Sequence, residues 1–426
     1  MTKTAAPIWL APTPSGPIDA AVVVPGSKSM TNRALVLAAL APVPTTVRSP
    51  LRARDTELMA AALAALGSDV ADEGGDWVVT PSAWSGPADV DCGLAGTVMR
   101  FVPPVAALAH GEIAFDGDPR ARQRPMGPVL DALRQLGVTV DDGGRGALPF
   151  TVVGAGRVRG GLVEVDASGS SQFVSALLLA GCAYEDGVEV RSVGPTVPSL
   201  PHIAMTLAML GAAGVDARPV DGAAWLVSPG RPRGGEITIE PDVSNALPFV
   251  AAALATGGRV RIVGFPTTSP YQAVGEAARV LHELGAVLED DAGDLVVDGS
   301  AGVRGADLDM SQVGELVSVV AALACLAGSR TTIRGVAHLR GHETDRLAAL
   351  AKELGRLGAD VQESDDGLVI VPRPLHGGVF ETYDDHRLAT AAAVLGLAVP
   401  GIEVVDVATA GKTLPGFVEL WTGMLA

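Results

Sequence analysis

Apolar positions recur along the chain in two alternating rhythms. Runs with helical spacing, such as Met59, Leu63 and Leu66, alternate with short Val-bearing stretches of strand type. A Leu-Gly pair closes several of the helical runs, at Leu66-Gly67, Leu136-Gly137, Leu210-Gly211, Leu284-Gly285 and Leu357-Gly358. Glycine directly after the last apolar position predicts a helix C-cap. A strand carrying Val follows each time, at Val70, Val138 and Val140, Val215, Val287 and Val361. In phase with this landmark, strands are predicted over 45–48, 112–115, 188–193, 259–263, 331–333 and 402–405. The chain therefore reads as six copies of a helix–strand–helix–strand–strand unit, each about 70 residues long.

The last copy stops after its second helix, near 417–425, while a strand around 8–10 has no helix before it. The N-terminus is expected to complete the sixth unit. Three copies per half predict two similar domains, 21–238 and 1–20 plus 239–426, with crossings near 19–22 and 235–241. Two crossings so placed predict a hinge, with the active site in a cleft between the domains. Pro103-Pro104 falls in the first helix of the second copy and predicts a kink or break there.

Composition narrows the function classes. Of 426 residues, 48% are hydrophobic and 19% charged, ample for large cores and incompatible with a disordered chain. No run approaches the ~20 apolar residues of a membrane span. The opening MTKTAAPIWLAPTP lacks the apolar stretch of a signal peptide, so a cytoplasmic protein is expected. A net charge of −17 argues against nucleic acid or an anionic membrane as partner. It leaves room for small anions wherever cations cluster locally. Cys92, Cys182 and Cys325 follow no metal spacing and read as buried, reduced thiols.

Candidate chemistry gathers at the starts of the first helices. Copy one reads Pro25-Gly26-Ser27-Lys28-Ser29-Met30-Thr31-Asn32-Arg33, in which Ser27 or Ser29 can cap. Free N–H groups flanked by Lys28 and Arg33 make an anion site. Copy two offers Gly96, Thr97 and Arg100; copy three Ser170, Ser171 and Gln172; copy five Gln312 and Glu315; copy six Asp384, Asp385, His386 and Arg387. Copy four, Asp242-Val243-Ser244-Asn245, reads as an ordinary cap. Equivalent ends of repeated units lie on one side of each domain, so these polar starts should converge. Lys28, Arg100 and Arg387 sit at positive dipole ends, where a cation is unfavourable unless an anion binds. Second-helix starts add Arg124, Ser199 and His202, and the stretch 338–346. There Glu343 and Arg346, three apart, are read first as a local ion pair. Lys412 lies in a glycine turn.

Seven motifs, PGSKSMTNRALVLAAL, GLAGTVMRF, ARQRPMG, SGSSQF, HETDRL, DDHRLA and GKTLPGF, occur in this order over the whole chain. Together they resemble the 5-enolpyruvylshikimate-3-phosphate synthase family. The resemblance implies an α/β fold of two similar domains, each of three βαβαββ repeats around an inward helix bundle. It implies transfer of the enolpyruvyl group of phosphoenolpyruvate to shikimate 3-phosphate with release of phosphate, in the shikimate pathway leading to chorismate and aromatic amino acids. It implies a monomer, no metal or organic cofactor, and inhibition by glyphosate.

Matched motif by motif, the resemblance assigns Lys28, Ser29, Arg33, Ser170, Ser171, Gln172, Ser199, Glu315 and His342 to shikimate 3-phosphate. It assigns Lys28, Gly96, Arg100, Arg124, Gln172, Arg346, Arg387 and Lys412 to phosphoenolpyruvate. Lys28, Glu315 and Glu343 are the implied proton carriers. The chain departs from the family pattern at Leu94, Phe101, His202 and His342, where Asn, Pro, Tyr and Lys are usual. The alternatives are a UDP-N-acetylglucosamine enolpyruvyl transferase, disfavoured because 116–127 carries no Cys, and a non-catalytic scaffold of the same fold.

Overall fold

A computed structural model describes residues 6–220 and 222–426. Strands β1 (Ile8–Leu10) and β2 (Asp19–Val22) open the chain, followed by α1 (Lys28–Leu40), β3 (Thr45–Arg48), α2 (Arg54–Leu66), β4 (Asp69–Glu73) and β5 (Asp76–Thr80). Next come β6 (Ala88–Asp91), α3 (Gly96–Ala106), β7 (His110–Asp116), α4 (Gly127–Gln135), β8 (Thr139–Asp141) and β9 (Phe150–Ala155). The third repeat is β10 (Gly161–Val165), α5 (Gln172–Gly181), β11 (Val188–Ser192), α6 (Leu200–Ala212), β12 (Ala217–Pro219) and β13 (Ala224–Val227). Then follow β14 (Gly235–Thr238), α7 (Val243–Thr256), β15 (Arg259–Ile262), α8 (Val274–Glu283), β16 (Val287–Asp291) and β17 (Asp294–Asp298). The fifth repeat is β18 (Asp307–Asp309), α9 (Val317–Cys325), β19 (Thr331–Arg334), α10 (Arg346–Arg356), β20 (Asp360–Ser364) and β21 (Gly367–Val371). The chain ends with β22 (Gly378–Glu381), α11 (His386–Gly396), β23 (Ile402–Val405) and α12 (Phe417–Met424).

Each repeat builds its own sheet, and one mixed order recurs: β6-β7-β9-β8, β10-β11-β13-β12 and β18-β19-β21-β20. In the β6 sheet the first two strands are parallel and the remaining pairings antiparallel. Two sheets borrow their parallel edge strand from a distant part of the chain. Strand β14 pairs with β3, and β2 with β15. In the sixth sheet β1 runs antiparallel to β23 and supplies the edge that the C-terminus lacks.

The chain divides into two compact units, Met1–Pro25 with Pro241–Ser269 and Ala273–Ala426, and Gly26–Glu240 with Pro270–Gln272. The first crossing falls after Pro25, beyond the expected residue 20. The reason is that β2 is bonded along its whole length to β15, up to Val22 opposite Ile262. Each unit encloses its own apolar core. Beyond their polar N-terminal turns, the first helices of the repeats are largely apolar and lie inside. Every residue of α3 and of α9 is buried. Within their units α1, α3 and α5 pack on one another, as do α7, α9 and α11. The second helices bury one stripe, as in α8, where Val274, Ala277, Val280 and Leu281 face inward. Cys92, Cys182 and Cys325 are buried, and burial pushes each thiol up to about 12.

Two local expectations fail. Helix α3 runs unbroken through Pro103 and Pro104. The prolines sit in its final turns, and the Pro104 carbonyl accepts the Tyr184 hydroxyl at 2.9 Å. Leu210-Gly211 does not end α6, which continues to Ala212; Gly214, with φ +82°, makes the left-handed exit instead. No helix among the described residues is long and apolar enough to cross a membrane.

These glycines give a test with opposite signs. A Cβ on Gly211 meets nothing within 4 Å, so Gly211→Ala should stabilise the fold by ~0.5–1 kcal/mol through helix propensity. A Cβ on Gly154 would lie 2.2 Å from the Ala109 carbonyl oxygen, so Gly154→Ala should destabilise by about 1–3 kcal/mol. Denaturant midpoints measure both, and a destabilised Gly211→Ala protein would contradict the helical placement.

Candidate active site

In the unit containing Gly26–Glu240, one buried guanidinium ties three helix starts together. Arg33, on the second turn of α1, is 1% exposed. Its Nε donates to Thr206 Oγ1 of α6 at 2.8 Å. Nη1 donates to the Ser29 carbonyl at 3.0 Å. Nη2 donates to Ser175 Oγ of α5 at 3.2 Å and to the His202 carbonyl of α6 at 3.0 Å. All these acceptors are neutral. Arg33 makes no ion pair among the described residues, and burial pulls its pKa down to about 9, still cationic at neutral pH. Asn32 Nδ2 donates to Thr97 Oγ1 at 2.7 Å, tying the start of α3 to the same cluster.

This network brings Lys28, Ser29, Ser170, Ser171, Gln172 and Ser199 to one end of the unit. Ser27, not Ser29, caps α1 through the Met30 N–H. Ser171 and Ser199 occupy the N-cap positions of α5 and α6, yet neither spends its hydroxyl on capping. Ser199 also holds a left-handed backbone, φ +51°, which is strained for a serine. Ser170 Oγ accepts the Gln172 N–H at 3.2 Å. Lys28 Nζ donates to Asp55 Oδ2 at 3.2 Å, so its charge is met by a carboxylate that the motifs do not reveal.

Around Gly96 two more guanidiniums close in. A Cβ there would lie 3.0 Å from both Arg100 Nη1 and Arg124 Nη2. Arg100 is 3% exposed and donates to the carbonyls of Gly96 at 3.3 Å and Pro125 at 3.1 Å. It is fixed by backbone oxygens and holds the chain leading into α4. Arg124 Nη1 reaches the Leu94 carbonyl at 3.3 Å, while its buried Nε has no partner. Leu94 therefore meets Arg124 through its backbone carbonyl.

In the other unit the acidic and basic groups are interlocked. Arg346, at the first position of α10, is 3% exposed. It donates from Nε to Asp385 Oδ2 at 2.8 Å and from Nη2 to Glu343 Oε2 at 2.9 Å. Burial would lower its pKa, but Asp385 and Glu343 outweigh burial and raise it. His342 Nδ1 lies 3.2 Å from Arg346 Nη1, in the orientation of an acceptor. Lys412 Nζ donates to Glu343 Oε1 at 2.6 Å. The local Glu343–Arg346 pair is thus present as the spacing predicts, and Lys412 extends it.

Arg387 is held differently. Its Nη1 and Nη2 donate to the Ser244 carbonyl at 3.1 Å and to Ser244 Oγ at 2.7 Å. It makes no ion pair among the described residues, and desolvation by burial keeps it below the ordinary guanidinium value. Glu315 is the middle residue of a 3₁₀ turn, Gly314–Leu316, and its charge favours the cationic forms of Arg346 and Arg387, though burial still leaves Arg387 lowered. Asp242-Ser244 exceeds the ordinary cap expected of it. Asp242 does cap α7 through the Asn245 N–H at 2.9 Å, but Ser244 seats Arg387. Asp55, Ser244, Thr206 and Ser175 are the functional supports that sequence reasoning missed. Only the polarity of Ser175 and Thr206 on otherwise apolar helices could have signalled them.

Comparisons with known proteins give the family. Residues 12–421 match the EPSP synthase (3-phosphoshikimate 1-carboxyvinyltransferase) family. A curated 3-phosphoshikimate 1-carboxyvinyltransferase of Kocuria rhizophila is 55% identical over 98% of this chain and 96% of its own. The EPSP synthase structure from Acinetobacter baumannii superposes with TM-score 0.81 at 24% identity, covering 98% of each chain. The enolpyruvyl transferase NikO from Streptomyces tendae gives TM-score 0.74 at 17% identity, again over 98% of each chain, and shares the fold. With the motifs in order and a match running almost end to end, the chain belongs to the EPSP synthase (3-phosphoshikimate 1-carboxyvinyltransferase) family.

Proposed function

We propose that this protein transfers the 1-carboxyvinyl group of phosphoenolpyruvate to a ring hydroxyl of shikimate 3-phosphate and releases inorganic phosphate. The observation that carries this reading is a set of buried or partly buried cations, Arg33, Arg124 and Arg387, that no carboxylate among the described residues neutralises within ion-pair distance. Holding such charges out of water is unfavourable unless an anion joins them. Two polyanionic substrates would do so, and fixed guanidiniums would bring them together.

We assign the hydroxyl-lined helix starts, with Lys28, Ser29, Arg33, Ser170, Ser171, Gln172 and Ser199, to shikimate 3-phosphate. Glu315 and His342 contribute to the same substrate. The phosphoenolpyruvate set is Lys28, Gly96, Arg124, Gln172, Arg346, Arg387 and Lys412, with Arg100 as its support. The acceptor hydroxyl loses a proton and its oxygen adds to C2 of phosphoenolpyruvate, while C3 gains a proton to become a methyl group. The tetrahedral adduct then loses a methyl proton and expels phosphate through C–O cleavage. Glu315 suits the hydroxyl proton. Glu343, held between Arg346 and Lys412, suits the carbon; Lys28 can share either task. A cytoplasmic monomer accords with this role.

Phosphate release from phosphoenolpyruvate, assayed separately with shikimate 3-phosphate and with UDP-N-acetylglucosamine, tests the reading. Release only with the first acceptor is expected. Release only with the second would transfer the protein to the alternative enzyme, and release with neither would support a scaffold.

The role of Glu343 separates from its ion pairs by substitution. If it carries a proton, Glu343→Gln should lower kcat by about 100-fold or more, and Glu343→Asp by much less. Equal losses would mean that the carboxylate only anchors Arg346 and Lys412.

Gly96→Ala should crowd the ends of Arg100 and Arg124, since the added methyl would lie 3.0 Å from each. Glyphosate is longer than the part of phosphoenolpyruvate it replaces. Its inhibition constant should therefore rise more than the KM for phosphoenolpyruvate. Paired titrations at fixed shikimate 3-phosphate measure both, and equal shifts would remove Gly96 from the pocket wall.

A further inference from the structure

The turn that delivers Asp385 and Arg387 has an unusual backbone. Tyr383 and Asp384, consecutive and neither a glycine, both adopt left-handed angles, φ +54° and +57°. The other non-glycine residues with positive φ, such as Ser199 and Asp406, stand alone in the chain. A β-carbon makes this conformation unfavourable, so something must hold it.

What holds it is a carboxylate outside the motifs. Glu353 lies two turns after Arg346 on α10 and is 0% exposed. Its Oε1 accepts the Tyr383 hydroxyl at 2.5 Å, and its Oε2 accepts the Glu381 N–H at 3.2 Å. One side chain therefore grips both the last residue of β22 and the first left-handed residue. Arg356 Nη1, 2.8 Å away, balances the Glu353 charge, and Lys352 Nζ sits 5.3 Å from the centre of the Tyr383 ring. Burial, and then the hydrogen bond to Glu353, raise the Tyr383 pKa, so the phenol stays a donor through neutral pH.

The same helix thus meets this loop twice, through Arg346 on Asp385 and through Glu353 on Tyr383. Asp385 in turn caps α11 by accepting the Arg387 N–H at 2.8 Å. We propose that Glu353 and Tyr383 are positioning residues: they lock the left-handed pair 383–384 and so set the places of Asp385, Arg346 and Arg387 for binding phosphoenolpyruvate. The proposal rests on the assignment of Arg346 and Arg387 to that substrate.

Three variants test it. Tyr383→Phe removes only the hydroxyl, so the fold should survive even if Glu353→Ala does not. The KM for phosphoenolpyruvate should rise about tenfold, the weight of one hydrogen bond to a charged group, while kcat falls less than twofold. Hydrogen exchange of the amides of 381–387 should accelerate by a similar factor, a readout that needs no turnover. Glu353→Gln keeps an acceptor for Tyr383 and should lie between wild type and Tyr383→Phe. Asp384 is exposed and outside the catalytic set, and glycine takes a positive φ without strain. Adding Asp384→Gly to Tyr383→Phe should therefore recover most of the lost KM. Unchanged KM and exchange in Tyr383→Phe, or no recovery in the double variant, would overturn the proposal. Faster exchange with unchanged KM would overturn the assignment of this turn to phosphoenolpyruvate while leaving the lock itself in place. Absence of any turnover in the wild type would instead overturn the proposed reaction, and the exchange data would still decide whether the lock exists.

Discussion

A guanidinium buried without a counter-ion is the constraint on which the Gly26–Glu240 unit turns. Arg33 could have been neutralised by one aspartate, and burial would then have been less costly. It is instead held by hydroxyl and carbonyl oxygens from α1, α5 and α6. Neutral acceptors satisfy its N–H groups and leave its positive field intact. The same bonds fix three helix starts side by side, each with its own free N–H groups and partial positive charge. The positive field and the local architecture are therefore consequences of one side chain. A carboxylate within reach of Arg33 would satisfy the same N–H groups and quench the field.

The repeat explains why polar chemistry gathers where it does. Helices such as α3 and α9 are buried over their whole length, so their interiors accept almost nothing charged. Their N-terminal turns are the exception, because backbone donors there require partners and tolerate polar neighbours. Six sheets of related order place six such turns, and each can diverge without disturbing the core below it. Copy three carries hydroxyls there, copy six an arginine, and copy four the serine that seats the arginine of copy six.

The sequence carried the fold largely through local signals that repeat. Strands at 45–48 and 402–405 match their observed bounds because β-branched residues and flanking turns act locally. Gly211 misled because a Leu-Gly pair ends a helix only if the chain then turns left-handed, and here the turn waits until Gly214. The proline pair misled because the loss of its two N–H groups removes bonds to the carbonyls four residues back without breaking the fully buried α3, whose packing keeps the helix continuous. In the candidate site, the motif residues were legible and their partners were not. Asp55 and Asp385 are common acidic residues in helix-start contexts, where capping is the usual explanation. What distinguishes them, the pairing with Lys28 and with Arg346, depends on contacts across 27 and 39 residues. No periodicity encodes such contacts.

The two clusters differ in a way that bears on the division of labour. Around Arg33 and Arg124 the partners are neutral, so positive charge is kept available. Around Glu343 every charge is answered: Arg346 by two carboxylates, Glu343 by two cations. Under the proposed reaction the first arrangement suits holding a phosphate, which needs net charge and little motion. The second suits moving a proton, because a carboxylate poised between two cations changes its proton affinity as either cation turns toward a bound anion. Arg346 and Lys412 are assigned to phosphoenolpyruvate, so binding that substrate would draw both cations from Glu343. The carboxylate would then become a stronger base at the moment when a proton must be handled at the adjacent carbon. Substrate binding and base activation would in that case be one event, governed by how firmly Asp385 keeps Arg346 in place.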